Sequence, residues 1–405
     1  MNPSLSGELF GLRDRFRGAL LDDVVPFWFP RCVDGEFGGF FNALDRDGSV
    51  LDTDKAVWAQ GRMAWMLFTL YDRLDARSEW LEWGTRGLEF IDQHCHDKDG
   101  RLFFQVTGDG QPLRKRRYAF SEAFAAIAYA AHYRVTQETA SAERARLLFQ
   151  GFTRWHFTPG LMPPKFTDVR PTVSLGPYMI ALVTAQELRR CLGEDLTTES
   201  WTDRCVNEIQ SLFVKPEEEV VMEQVGPDGE IIDHFDGRLL NPGHAIEAGW
   251  FLLEEGKWRG DKELMQLGGR MIDWMWTRGW DREYGGLLSF CDLGGKPVQE
   301  YWHDMKFWWP HNEAMIAQLM AFVHLGDERA GRRFQEIVDW SLPRFGDSEF
   351  GEWFGYLRRD GSVSMTLKGN LWKSCFHLPR ALLRCLELLE SLAPDPDPDP
   401  GKTDV

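Results

Sequence analysis

The sequence predicts an all-α fold: an (α/α)6 barrel of paired helices, with short β-hairpin loops at the pocket end. Three observations predict it. Apolar residues recur at helical spacing over most of the chain, as in Ile246, Trp250 and Leu253 or Met315, Leu319, Phe322 and Val323. Long alternating β-branched runs are scarce. An Asp-x-Glu-aromatic-Gly motif recurs, beginning at Asp34, Asp281 and Asp347, with a weaker copy at Asp97. The copies are 63, 184 and 66 residues apart, and the middle interval is close to three of the others. The unit is long enough for two helices and their connections, so 405 residues hold about six pairs. An open solenoid of such pairs needs capping repeats. A closed ring needs none, and the degenerate repeats favour it.

The elements follow in order. Asp34 to Asn42 and its echoes read as hairpin loops, and Asp47-Gly48 and Asp360-Gly361 supply the turns that close them. Lys55 to Arg62 enters a helix with Trp58 and Arg62 four apart on one face. Ser121 to Tyr133 begins with a Ser suited to an N-cap and continues in helix formers. Asn241-Pro-Gly is a turn that opens a helix from His244 to Glu255. Helices are also expected over Asn312 to Leu325 and Arg380 to Leu392, the latter entered through Pro379. One catalytic domain spans 1–392. The alternating Pro-Asp stretch from Pro394 cannot continue a helix or a ladder, so 393–405 is expected to be a disordered tail.

Composition narrows the class. The net charge of −17 argues against a nucleic-acid partner. No run approaches the length of a membrane span, and the N-terminus shows no signal-like apolar core. Seven scattered cysteines without a CxxC suggest neither a disulfide framework nor a zinc ribbon. A cytoplasmic protein is the simplest expectation. The 18 tryptophans are unusual, and aromatic faces beside charged groups suit a polyhydroxy ligand.

Four segments carry candidate chemistry. In Asn241-Pro-Gly-His-Ala-Ile-Glu247, the carboxylate lies one turn from the imidazole of His244. That spacing suits an acid–base pair, or simply a helix start with a capping-like Glu. Cys375-Phe-His377 allows a Cys/His pair, a buried structural His or a helix-entry loop. Tyr301 to Glu313 is the densest aromatic segment and includes Lys306, Trp308, Trp309 and Glu313; it reads as a sugar wall or as a packed loop. The Trp58/Arg62 pair is either a cation–π staple or an oxyanion clamp, while Arg116 and Arg117 look like a solvated basic run. No metal is expected: His94-x-His96-Asp97 lacks further spaced ligands, and His244-x-x-Glu247 lacks the second His of a zinc motif. No phosphate-binding glycine loop of either common type is present.

Together these segments resemble the N-acylglucosamine 2-epimerase family, also called renin-binding protein in animals. The likeness runs from about residue 20 to 390. It rests on Gly38-Gly-Phe-Phe41, Val57-Trp-x-Gln-Gly-Arg62, Phe120-Ser-Glu122 and Asn241-Pro-Gly-His-x-x-Glu-Ala-Gly-Trp-Phe-Leu-Leu253. Further on it includes Lys306-x-Trp-Trp-Pro-His311, Glu313-Ala-Met-Ile316, Phe350-Gly-Glu-Trp-Phe-Gly-Tyr356 and Cys375-Phe-His-x-Pro-Arg380. The resemblance implies an α/α barrel and the cofactor-free interconversion of N-acetyl-D-glucosamine and N-acetyl-D-mannosamine. It implies His244 and His377 as the catalytic pair, Glu247 supporting His244, and a pocket lined by Trp58, Arg62, Arg238, Trp308, Trp309 and Trp372. Glu122, Lys306 and Glu313 are added as substrate-binding candidates. ATP or another nucleotide is implied as an allosteric effector, because the animal members use a purine nucleotide. A homodimer is expected. Residues 161–178 depart most from the animal pattern.

The reaction this implies removes a C2 proton next to the C1 aldehyde of the open-chain sugar. One imidazole takes that proton and the other returns one to the opposite face, with Arg62 facing the enediolate oxygen. Two other classes compete with it. A glycoside hydrolase would need two flanking carboxylates, for which Glu122, Glu247 and Glu313 are available. A binding protein would need no acid–base pair. Within epimerases, free mannose or a disaccharide such as cellobiose is the alternative substrate.

Overall fold

The structure is a computed structural model that describes residues 3–116 and 118–393. The Pro-Asp tail expected from Pro394 onward, and Arg117, lie outside the described residues. A short helix α1 (Pro3–Phe10) is followed by α2 (Arg13–Gly18), a π-helical stretch Ala19–Val24 and α3 (Val25–Trp28). Eleven helices then alternate: α4 (Val57–Arg73), α5 (Ser78–His94), α6 (Phe120–Thr136), α7 (Thr139–Phe157), α8 (Leu175–Leu192), α9 (Leu196–Glu208), α10 (Pro242–Arg259), α11 (Lys262–Gly279), α12 (Trp308–Leu325), α13 (Glu328–Phe345) and α14 (His377–Glu390).

The even-numbered helices from α4 to α14 form the inner ring. Each packs on the next, and each packs on the outer helix that follows or precedes it. The run from α2 to α3 lies against α14 and takes the twelfth position, which completes six pairs. Inner helices are buried almost all round, as the twelve buried residues of α10 and the fourteen of α12 show. Outer helices such as α13 are amphipathic, with Phe334, Ile337, Val338 and Ser341 turned inward.

The repeated motif is one loop built four times. Asp34, Asp281 and Asp347 each accept backbone N–H groups from nearby residues of their own loop, and their second oxygen binds a buried lysine. The pairs are Asp34–Lys55 at 2.6 Å, Asp281–Lys306 at 2.9 Å and Asp347–Lys368 at 3.1 Å, with Asp97–Lys115 as the weaker copy. Isolated antiparallel bridges recur at the same place: Val33 with Phe40, His96 with Leu102, Trp280 with Leu287 and Gly346 with Trp353. The second motif glycine is required where it stands. Gly39 has φ +70°, and a Cβ there would sit 2.6 Å from Gln60 Oε1. In the third copy Glu352 takes that position at φ +58°, and its carboxylate accepts from Trp28 Nε1 and Lys373 Nζ, both at 2.7 Å.

Helix boundaries differ from the sequence reading in two informative places. Ser121 is the second residue of α6 and not its cap; Ala119 precedes the helix with no side-chain hydrogen bond. Helix α12 begins at Trp308, four residues before Asn312. The strand pair Lys306–Phe307 with Tyr356–Leu357 delivers the chain directly into the first turn. Both predicted hairpins form: Ala43–Leu44 pairs with Val50–Asp52, and Tyr356–Leu357 with Val363–Met365.

Candidate active site

All six inner helices start at the hairpin end of the barrel, and their first turns enclose a cavity of about 270 Å³. Trp58 and Arg62 come from α4, Phe120 and Phe124 from α6, Gly176 and Met179 from α8. His244 and Glu247 come from α10, Trp308 and Trp309 from α12, His377 and Arg380 from α14. Six helix N-termini pointing the same way give this end a positive potential, which suits an oxyanion.

Local sequence explains the placement. Asn241 caps α10 by accepting from the His244 N–H at 3.1 Å, and Pro242 opens the helix. His244 is thereby held in the first turn, with its side chain about one-third exposed, at 35%. Gly243 leaves room for the indole of Trp309, which lies 2.6 Å from where a Cβ would be. Trp309 packs against both histidines, its ring centroid 5.0 Å from His244 and 6.0 Å from His377.

Each histidine is bound to a carboxylate through Nδ1. His244 Nδ1 lies 3.0 Å from Glu223, a residue of the loop between Val220–Val221 and Gln224–Val225. Burial alone would lower the His244 pKa; the Glu223 charge and hydrogen bond outweigh burial and raise it. His377 Nδ1 lies 2.7 Å from Glu313 Oε1. Here burial, reinforced by the charges of Arg380 and Arg62, pushes the imidazole well below its ordinary value. The Arg380 guanidinium binds Glu313 at 2.5 Å and Glu247 at 2.8 Å. Burial and then the Glu313 charge raise the Glu247 carboxyl.

Arg62 lies over Trp58, Phe124 and Phe376, at 4.4, 4.0 and 4.7 Å from their ring centroids. Its Nε is buried without a hydrogen-bond partner, and burial lowers its pKa to about 9. The staple and the clamp are thus one arrangement: aromatic rings hold a guanidinium with unspent donors against the cavity. Trp308 Nε1 is likewise buried and unpartnered. Trp372, 44% exposed, stands edge-on to Trp58 at the rim. Arg116 stacks over Phe104 and Trp372 and is not a freely solvated residue.

Several expected site residues are bonded to protein partners. Lys306 is fully buried as one of the loop lysines, tied to Asp281. Glu122 is buried beside Arg101 and accepts from the Leu102 N–H. Arg238 pairs with Asp233 and Asp292 outside the cavity wall. Glu247 is bonded to Arg380 and its charge helps raise the His244 pKa, while the hydrogen-bonding carboxylate of His244 is Glu223. Glu313 is fully buried and touches His377, so it reaches a ligand only through that imidazole. Cys375 is buried, and burial drives its thiol far above the ordinary range, which removes the Cys/His pair. His311 is buried too; its Nε2 accepts from the Leu287 N–H and it is held at about 3, chiefly by burial. Glu247, Glu313 and His377 offer ligand atoms within 4.8 Å of one another, but the Arg380 guanidinium already bridges the two carboxylates. Glu223 went unrecognised in the sequence because 21 residues and two short strands separate it from His244.

A larger cavity, about 460 Å³, opens at the other end of the barrel. Its arginines are already matched with carboxylates: Arg73 with Glu387, Arg384 with Glu254, Arg190 with Glu187 and Arg189 with Glu255. It holds no acid–base pair, so the smaller cavity is the candidate active site.

Residues 39–381 match the family model of N-acylglucosamine 2-epimerase. The chain belongs to the N-acylglucosamine 2-epimerase family. Over 382 residues it is 38% identical to the N-acylglucosamine 2-epimerase of Bos taurus, covering 92% of this chain and 90% of that one. The Homo sapiens protein of the same name is 35% identical, with 94% and 91% covered. Among solved structures, the cellobiose 2-epimerase of Spirochaeta thermophila superposes with a TM-score of 0.81 at 19% identity, over 95% of this chain and 98% of that one. That likeness shows the α/α barrel fold.

Proposed function

We propose that the protein is a sugar 2-epimerase that interconverts N-acetyl-D-glucosamine and N-acetyl-D-mannosamine. The observation that carries this reading is the pair of carboxylate-bound histidines on one small cavity, in a chain of this family. With Nδ1 of each ring committed to a carboxylate, Nε2 is left for the substrate. One histidine removes the C2 proton and the electron pair moves through C1 onto O1. Arg62 and the helix N-termini stabilise that oxygen. The other histidine delivers a proton to the opposite face of C2, and the C1 carbonyl re-forms. Acid, base and oxyanion partner are all side chains of this chain, and the step as drawn calls on no cofactor or metal.

The hydrolase alternative loses its geometry. Glu122 and Glu313 are buried and already bonded, and of the three candidates only Glu247 faces the cavity. The test is incubation with N-acetylmannosamine, mannose and cellobiose separately, with and without ATP, followed by NMR in deuterium oxide. Epimerisation of the amino sugar with deuterium entering at C2 is expected, and His244→Asn or His377→Asn should abolish it. Turnover of mannose or cellobiose alone would overturn the substrate, and near-wild-type turnover by either variant would remove that histidine from the mechanism. A response to ATP would establish the effector, and sedimentation would establish the homodimer. The seven free cysteines fit a cytoplasmic setting, and among the described residues no helix is long and apolar enough to cross a membrane.

A further inference from the structure

The two histidine–carboxylate pairs are not equivalent: His377 is the more buried, and an arginine sits on its carboxylate. His244 Nδ1 bonds Glu223, and no arginine or lysine forms an ion pair with that carboxylate among the described residues. His377 Nδ1 bonds Glu313 Oε1 at 2.7 Å, and Arg380 Nη2 bonds the same oxygen at 2.5 Å. Arg380 Nη2 is also 3.4 Å from His377 Nδ1 itself. The charge that would draw a proton onto His377 is therefore already matched by a cation, in a place too dry for water to screen it. The other charged and titratable groups facing His377 are Glu247 and His244 from α10 and Arg62 from α4; those facing His244 are Glu223, Glu247 and Lys165. Glu247 does not restore the balance, because it too is bonded to Arg380.

We propose that Arg380 divides the acid–base labour between the two histidines. By occupying the Glu313 oxygen that His377 uses, it leaves His377 resting as the neutral imidazole and His244 as the proton carrier. The proposal rests on the reading of this cavity as a C2 epimerisation centre and assigns its direction of proton flow. In the resting form His377 takes the C2 proton, the C2–H electron pair enters the C1–C2 bond and the carbonyl pair moves to O1. The His244 proton then bonds to C2 from the other face as the carbonyl re-forms. Turnover leaves His377 protonated and His244 neutral, so a proton must leave one and return to the other through solvent before the same direction runs again. Arg380 is a positioning residue: it acts through Glu313 and His377.

Imidazole 15N NMR of the full chain tests this without reference to any substrate. His244→Asn and His377→Asn each remove one of ten histidine signals and so assign the pair. In the wild type, His377 should take its proton at lower pH than His244; the opposite order overturns the proposal. Arg380→Met and Arg380→Gln both remove the charge, the second keeping an N–H donor for Glu313. In either variant that folds, the His377 midpoint should rise by about one pH unit or more, with the acid limb of kcat/KM moving the same way. A His377 midpoint that stays in place in a folded charge-free variant overturns the proposal. Should neither variant fold, the wild-type order alone decides. Absence of epimerase activity with the predicted titration order would defeat the substrate reading and leave the role of Arg380 intact.

Discussion

Gly243→Ala tests how tightly the first turn of α10 is set against α12. The added Cβ would lie 2.6 Å from Trp309 Cη2, 2.7 Å from Cζ3 and 3.0 Å from Pro310 Cβ, where ordinary contact begins near 3.4 Å. The indole or the helix must move by about 0.8 Å, and Pro310 blocks part of the way. Overpacking of this kind costs about 1–3 kcal/mol. Trp309 also packs against both imidazoles, so the part of this displacement passed on to either ring misplaces a reacting group, and a misplacement near 1 Å is worth roughly 100-fold in rate. Urea unfolding should show the stability loss, and kcat on N-acetylmannosamine should fall about 100-fold with helix content unchanged. A variant with wild-type unfolding midpoint and wild-type kcat would refute the argument, since it would mean that Trp309 has free room to yield.

Glu223→Gln should lower kcat/KM at neutral pH by about 100-fold, because His244 loses the charge that holds its proton. Glu223 raises the His244 pKa, so its loss should move the limb assigned to His244 deprotonation to lower pH; an unmoved limb would contradict the pairing. Asp34→Asn leaves the fully buried Lys55 without its carboxylate and should destabilise the fold by about 3–5 kcal/mol in urea. A loss under about 1 kcal/mol would mean the carbonyls of Gly38 and Gly108 suffice to hold that lysine. Stability should also fall on acidification. Burial would raise the Glu187 carboxyl, but Arg190 and the Trp65 N–H hold it at about 2, below its unfolded value. Its contribution is complete above the unfolded pKa near 4.3 and is lost as pH drops through about 2. Unfolding midpoints measured between pH 7 and 2 that stay flat would contradict this.

Much of the site was legible in the sequence because its residues sit at helix starts. Asn241-Pro-Gly-His is a local signal: cap, first-turn proline and a glycine where a neighbour comes close all act within four residues. Trp308 and Trp309 stand out through the aromatic density of their segment, and His377 through the resemblance; that each lies in the first turn of an inner helix is visible only in the structure. What misled was proximity along the chain. Glu247 is one turn from His244 but turns to Arg380, and Lys306 lies two residues before Trp308 but is tied to Asp281. A buried charge goes to the partner that satisfies it, and that partner comes from another segment.

The sequence by itself determined the number of helix pairs and the loop built on Asp-x-Glu-aromatic-Gly. These follow from periodicity and turn chemistry, which are local; the pairing of His244 with His377 comes from the family resemblance. Only the tertiary structure decided which carboxylate each histidine holds. Glu223 reaches His244 across 21 residues, Glu313 reaches His377 across 64, and Arg380 joins Glu247 to Glu313 from a third helix. Electrostatic energy depends on distance in space and on dryness, and neither is written in the order of residues along a chain.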